Sequence, residues 1–141
     1  MPHKSSSIEH ELAEVPCLEA AQPLLGVTFQ EAPPVLSALR LDGFADGDVP
    51  TCVEVFAHIG PSKSGQQRKL SRDMTKLLLA EKLLGTLCRK VLVVADEAAI
   101  AYFQRAWDGD FARRFGIETL VVDVEPQLRA TLMAAQERQR R

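Results

Sequence analysis

TCVEVFAHIGPSKSGQQRKLSRDMTKLLLAEKLL, residues 51–84, holds a strand, a loop and a long helix in immediate succession. Cys52 to His58 is apolar, β-branched or aromatic at nearly every position, which is the composition of a strand, and Gly60-Pro61 ends it. One carboxylate, Glu54, interrupts that run, and a charge there is costly unless it has a partner. The loop Gly60–Gly65 leads into a predicted helix from about Gln66 to Leu87, with Leu70, Met74, Leu77 and Leu84 returning at helical spacing. At about 100° per residue, Lys69, Asp73 and Lys76 share a face with Ala80, Leu83 and Leu87. The apolar end of that face is expected to pack on the sheet, so the charged end points into a polar cleft. The plainer alternative is a ladder of ion pairs on a helix rim, worth a few tenths of a kcal/mol per pair. Arg68, Ser71, Arg72, Thr75, Lys82 and Thr86 fall on the solvent side.

Upstream, Ser7 is a reasonable cap for a helix starting at Ile8, with Pro16 interrupting it and Pro23 closing it. Gly26–Gln30 alternates as a first strand should, and Val35–Phe44 as a second, separated by Pro33-Pro34. Ala45 to Pro50 is a turn by composition, Asp46-Gly47 being the usual hairpin signal. Thr51–His58 is then the third strand. With the turn centred near Asp48, Asp42 faces Glu54, with Cβ atoms about 4.5–5.5 Å apart. Two carboxylates so placed require neutralisation, by a hard divalent cation or by a shared proton. A slip of one residue would send one of them to the opposite face.

Downstream, Lys90–Ala95 is a continuous apolar run, as in a strand covered on both sides. Asp96 caps a helix reaching about Phe103, Trp107–Phe115 is a further helix ended by Gly116, and Ile117–Val124 is a fifth strand. Pro126 opens a last helix that runs to about Arg138, before the basic tail Arg138–Arg141. The order predicts an α/β fold: one domain over residues 1–141, with a mixed central sheet of about five strands, an antiparallel meander first and parallel additions after it, flanked by helices.

The overall charge of −2 conceals an asymmetry. Residues 1–59 carry two basic and nine acidic side chains, residues 60–90 eight basic and two acidic, and residues 91–141 seven basic and eight acidic. An acidic first third joined to a basic middle suits a cation site beside a polyanion groove. Lys63, Gln66, Arg68, Lys69, Arg72 and Lys76 are the candidates for contact with nucleic acid. Cys17, Cys52 and Cys88 have no metal-ligand spacing and read as reduced, buried thiols of a cytoplasmic protein. No apolar run has the length of a membrane span. No glycine-rich phosphate loop follows either late strand, which argues against a nucleotide-binding sheet.

A helix, a meander carrying Asp42 and then Glu54, and a helix packed over them resemble the PD-(D/E)XK nuclease superfamily. Val53-Glu54-Val55-Phe56-Ala57-His58, Gln66-Gln67 with Lys69, and Asp73 with Lys76-Leu77 are similar to small bacterial members. The resemblance implies a restriction-endonuclease-like αβββαβ core. It implies that Asp42, Glu54 and the Val55 carbonyl hold Mg²⁺ or Mn²⁺ for hydrolysis of nucleic acid, DNA in particular, and a homodimer to cut two strands. Phe56 occupies the position where the superfamily has lysine, and Leu41 precedes Asp42 in place of proline. Some branches move the lysine to the neighbouring helix, which makes Lys69 the catalytic amine, assisted by Gln66 or Gln67, with His58 on phosphate or as proton carrier. The departure at Phe56 equally suits a catalytically silent member that binds nucleic acid or another protein.

Overall fold

The computed structural model describes residues 4–139. The first three residues and the last two of the basic tail lie outside that range. Four strands form one sheet in sequential order, β1 (Gly43–Ala45), β2 (Thr51–Phe56), β3 (Arg89–Val94) and β4 (Ile117–Val121). β1 and β2 are antiparallel, whereas β2, β3 and β4 run parallel. The fold is therefore α/β with a mixed sheet, but of four strands where five were expected, and the meander is reduced to a hairpin.

The two missing strands have local causes. Pro33 has φ −65° and ψ 157°, and Pro34 starts a 3₁₀ helix over Pro34–Leu39 that buries Leu36. Arg40 then takes a left-handed conformation at φ 50°, so the chain cannot extend into β1 before Leu41. Because β1 is left with three residues, its outer edge offers little to pair with. Gly26–Gln30 makes one such bond, Gln30 N–H to the Phe44 carbonyl at 2.8 Å, and otherwise runs irregularly.

Each face of the sheet carries a helical layer. Cys52, Phe56, Leu92 and Val94 pack with Leu70, Met74, Leu77 and Ala80 of α2 (Ser64–Leu84), and with Phe103 and Ala112 beyond. Val53, Val55, Val91 and Val93 pack with Ala13, Cys17, Ala21 and Leu25 of α1 (Lys4–Leu25) and with Leu132 of α4 (Pro126–Gln139). The alternation along β2 and β3 thus feeds two cores, which is why both strands read as unbroken apolar runs. Each fully buried Val or Leu side chain contributes about 1.5–3 kcal/mol.

α1 runs through Pro16 and Pro23 instead of breaking at them, and Ser7 lies inside it. Its stripe Ala13, Cys17, Ala21 and Leu25, buried at four-residue spacing, offsets the lost hydrogen bonds. α2 ends at Gly85, left-handed at φ 70°, whose N–H reaches the carbonyls of Glu81 and Lys82. The helix therefore stops short of Leu87, and Leu83 and Leu87 are 42% and 70% exposed, contrary to the packing role expected of them. A 3₁₀ helix over Glu97–Gln104, capped by Asp96, precedes α3 (Trp107–Arg114). Gly109 lies so close to the backbone of Phe103 that a Cβ there would meet the Phe103 carbonyl oxygen at 1.9 Å. Among the described residues no helix is long and apolar enough to cross a membrane.

Candidate functional site

The hairpin register pairs Gly43 with Val53, so Asp42 comes opposite Glu54 one step before β1 begins. Both side chains point to the α2 face, the face of Phe44, Cys52 and Phe56. The two residues are tied reciprocally. Asp42 N–H donates to Glu54 Oε2 at 2.9 Å, and Val55 N–H donates to Asp42 Oδ2 at 2.7 Å. The Asp42 side chain thereby supplies the rung of the ladder that the backbone cannot, because Arg40 has turned away. The N–H and C=O of a strand residue point to the same edge, so the Val55 carbonyl also faces Asp42.

α2 lies over this pair and brings its amines to it. Lys76 Nζ forms an ion pair with Glu54 Oε1 and lies 3.4 Å from the Arg40 carbonyl oxygen, which the left-handed turn presents to it. Lys69, the amine expected at the acids, instead binds Asp73 Oδ2 at 2.9 Å and sits 5.8 Å from the centre of the Phe56 ring. Lys76 was expected only as a phosphate contact. The helix period places Lys69 and Lys76 on one face and cannot say which passes over Glu54. Asp73 is buried next to them at 5% exposure.

Glu54 is 1% exposed. Burial first, and the Asp42 charge second, push its carboxyl up from 4.5 to about 8, against the pull of Lys76. Burial also raises the Asp73 carboxyl, although Lys69 opposes it. Burial would depress the Lys69 amine, but Asp73 beside it keeps it above its ordinary value. The cluster Asp42, Glu54, Asp73, Lys69 and Lys76 is therefore a compact set of charges in which protons are shared out by environment, the arrangement common at reactive sites.

The other candidates have local duties. Gln66 Oε1 accepts from Lys63 N–H at 2.8 Å and closes the first turn of α2. Gln67 Nε2 donates to the Ser62 carbonyl at 3.1 Å, away from the acids. His58 Nε2 lies 3.1 Å from the Pro61 carbonyl oxygen, and its ring stacks on Phe56 at 5.7 Å. Lys63, Arg68 and Arg72 are exposed. Arg72 and Arg68 continue from Lys76 along one edge of the helix. Beside the charged cluster, a cavity of about 370 Å³ opens at the end of β2, walled by the start of α2, by Glu14 of α1 and by Gln136 of α4. Neither Glu14 nor Gln136 was singled out from the sequence, since nothing in their local pattern marks them.

Among the described residues no group of three or more His, Cys, Asp or Glu side chains is gathered as for a metal ion. Two carboxylates are present, Asp42 and Glu54, with the Val55 carbonyl on the same side. Mg²⁺ is commonly held by one or two carboxylates, with water and substrate phosphate completing its six oxygens. This donor set fits that mode of binding and not an all-protein cage. In comparisons with protein-family models, curated proteins and solved structures, nothing matches this chain.

Proposed function

We propose that this chain is a Mg²⁺- or Mn²⁺-dependent hydrolase of phosphodiester bonds in nucleic acid, with DNA as the substrate. The observation that carries the reading is the facing of Asp42 and Glu54 across the hairpin beneath an amine-bearing helix. Asp42, Glu54 and the Val55 carbonyl are the oxygens that would hold the cation. A divalent ion bound there acidifies a water and offsets charge developing on the phosphate. Lys76 directs a positive charge to the same spot, and Asp73 holds Lys69 one helical turn away. Both ammonium groups add electrostatic stabilisation to a phosphate brought over the pair. Arg68 and Arg72, along the edge that runs on from Lys76, give a path for the phosphate backbone, with binding that weakens as salt rises.

The test is cleavage of supercoiled plasmid and of end-labelled oligonucleotides with Mg²⁺ or Mn²⁺, repeated with Asp42→Ala and Glu54→Ala. Each substitution is expected to lower the rate at least a hundredfold. Cleavage that survives both changes would refute the assignment.

A second reading is supported by two observations. Phe56 stands where the resembled superfamily has lysine, and Lys76 already neutralises Glu54. Both suit a module that binds nucleic acid without cutting it. Binding that persists with no product in either metal would decide for it.

A further inference from the structure

We propose that the cavity at the end of β2 seats one unpaired nucleotide, so that the chain takes single strands or frayed ends in preference to intact duplex. The inference deepens the proposed function and rests on it for the choice of nucleic acid as ligand.

The cavity begins one residue beyond Glu54, where Val55, Phe56 and Ala57 form its floor. At about 370 Å³ it lies at the small end of the range for bound small molecules, about 300–1,000 Å³. It is walled on one side by the first turn of α2 and on the other by α1 and α4, so a stacked base pair cannot enter as it could a shallow groove. The wall is firm on the α4 side: Gln136 accepts from Ile59 N–H at 2.9 Å and donates to the Ile59 carbonyl at 2.8 Å.

The lining matches a nucleotide part by part. Phe56 gives an aromatic wall, backed by the stacked ring of His58. Stacking of a base on such a wall tolerates any sequence. Lys69, whose side chain is 53% exposed, already rests over the Phe56 ring and is placed to meet a phosphate at the rim, with Lys63 beside it. The amino-terminal end of the long helix α2 faces the same space and favours an anion. Glu14 is the one carboxylate in the lining, on the α1 wall. Phe56 thereby gains a role that lysine could not fill.

Gly65 provides the test. It lines the cavity, and a Cβ added to it meets nothing within 4 Å. Gly65→Glu therefore places a bulky anion in the pocket, while the first turn of a helix tolerates Glu better than Gly. Binding is measured by fluorescence anisotropy in EDTA, with a labelled single-stranded oligonucleotide and with a blunt hairpin duplex of the same length. The wild-type chain should bind the single strand at least tenfold more tightly. Gly65→Glu should remove that preference while melting no lower than wild type, and Gly65→Ala should retain it. Thymidine monophosphate should compete, whereas inorganic phosphate at the same concentration should not. Equal affinity for both nucleic acids, or an unimpaired Gly65→Glu, would overturn the pocket. Because no divalent cation is present, a failure to cut in the Mg²⁺ assay would count against the hydrolase reading and leave this binding result standing.

Discussion

Glu54→Gln separates the charge of the buried acid from its shape. Gln keeps an acceptor for the Asp42 N–H but cannot ionise. In the wild-type chain the Glu54 carboxyl stands at about 8, raised from 4.5 by burial first and by Asp42 second. An acid held above its unfolded value contributes stability that is complete below about pH 4.5 and is lost as pH rises through about 8. Each pH unit of that window corresponds to about 1.4 kcal/mol, which sets a ceiling of about 5 kcal/mol. Lys76 can follow the charge as it forms, so a loss of about 2–3 kcal/mol between pH 5.5 and 8.5 is the expected outcome. For a chain of this size that is a fall in Tm of about 8–10 °C. Glu54→Gln should lose less than half as much and should melt above wild type at pH 8.5. Asp73, whose carboxyl is also raised by burial, leaves a smaller slope of the same sign in both proteins. Thermal melts followed by circular dichroism across this range give the comparison. A flat wild-type profile, with Glu54→Gln less stable at every pH, would mean that Lys76 keeps the acid ionised throughout and would refute the reasoning.

Lys76→Met removes the cation from Glu54 and should cost about 3 kcal/mol at pH 9 but much less at pH 6, where the acid takes up a proton, as read from urea unfolding. Mg²⁺ at a hundredfold excess over its dissociation constant should stabilise the wild-type chain by about 2.7 kcal/mol at pH 8.5, and Asp42→Ala should abolish the effect in the same melts. Gly109→Ala would usually gain about 1 kcal/mol within a helix. Here its Cβ meets the Phe103 carbonyl at 1.9 Å, and a net loss in urea midpoint is expected instead.

The centre of the fold was legible because its signals are strong and local. β2, β3, α2 and α4 each carry a period or an apolar run that no competing structure satisfies, and the Asp46-Gly47 turn set the hairpin register that brings Asp42 to Glu54. The outer parts were not legible, because their fate depends on partners. Gly26–Gln30 alternates well enough for a strand, but β1 is too short to receive it. Val35–Phe44 has strand-like composition, yet Pro34 at its start and the left-handed Arg40 near its end favour a 3₁₀ turn. Pro16 broke the α1 pattern on paper, whereas tertiary packing of Ala13, Cys17 and Ala21 carries the helix across it. At the site, helical spacing placed both lysines on the correct face. Only the path of α2 across the sheet decides that Lys76 meets Glu54 and that Lys69 leans on Phe56.

The charged cluster is assembled from one uninterrupted piece of chain, Asp42 to Lys76: a hairpin folded under the helix that follows it. Everything after Gly85 supports this piece from the side and from below, and contributes none of its ion pairs. The segment is therefore a transplantable cassette. Any sheet able to offer a parallel neighbour like β3 could accept it. The exposed turn around Thr86-Leu87 is the natural seam for lengthening the molecule, for fusing a second module, or for attaching a reporter without disturbing the acids.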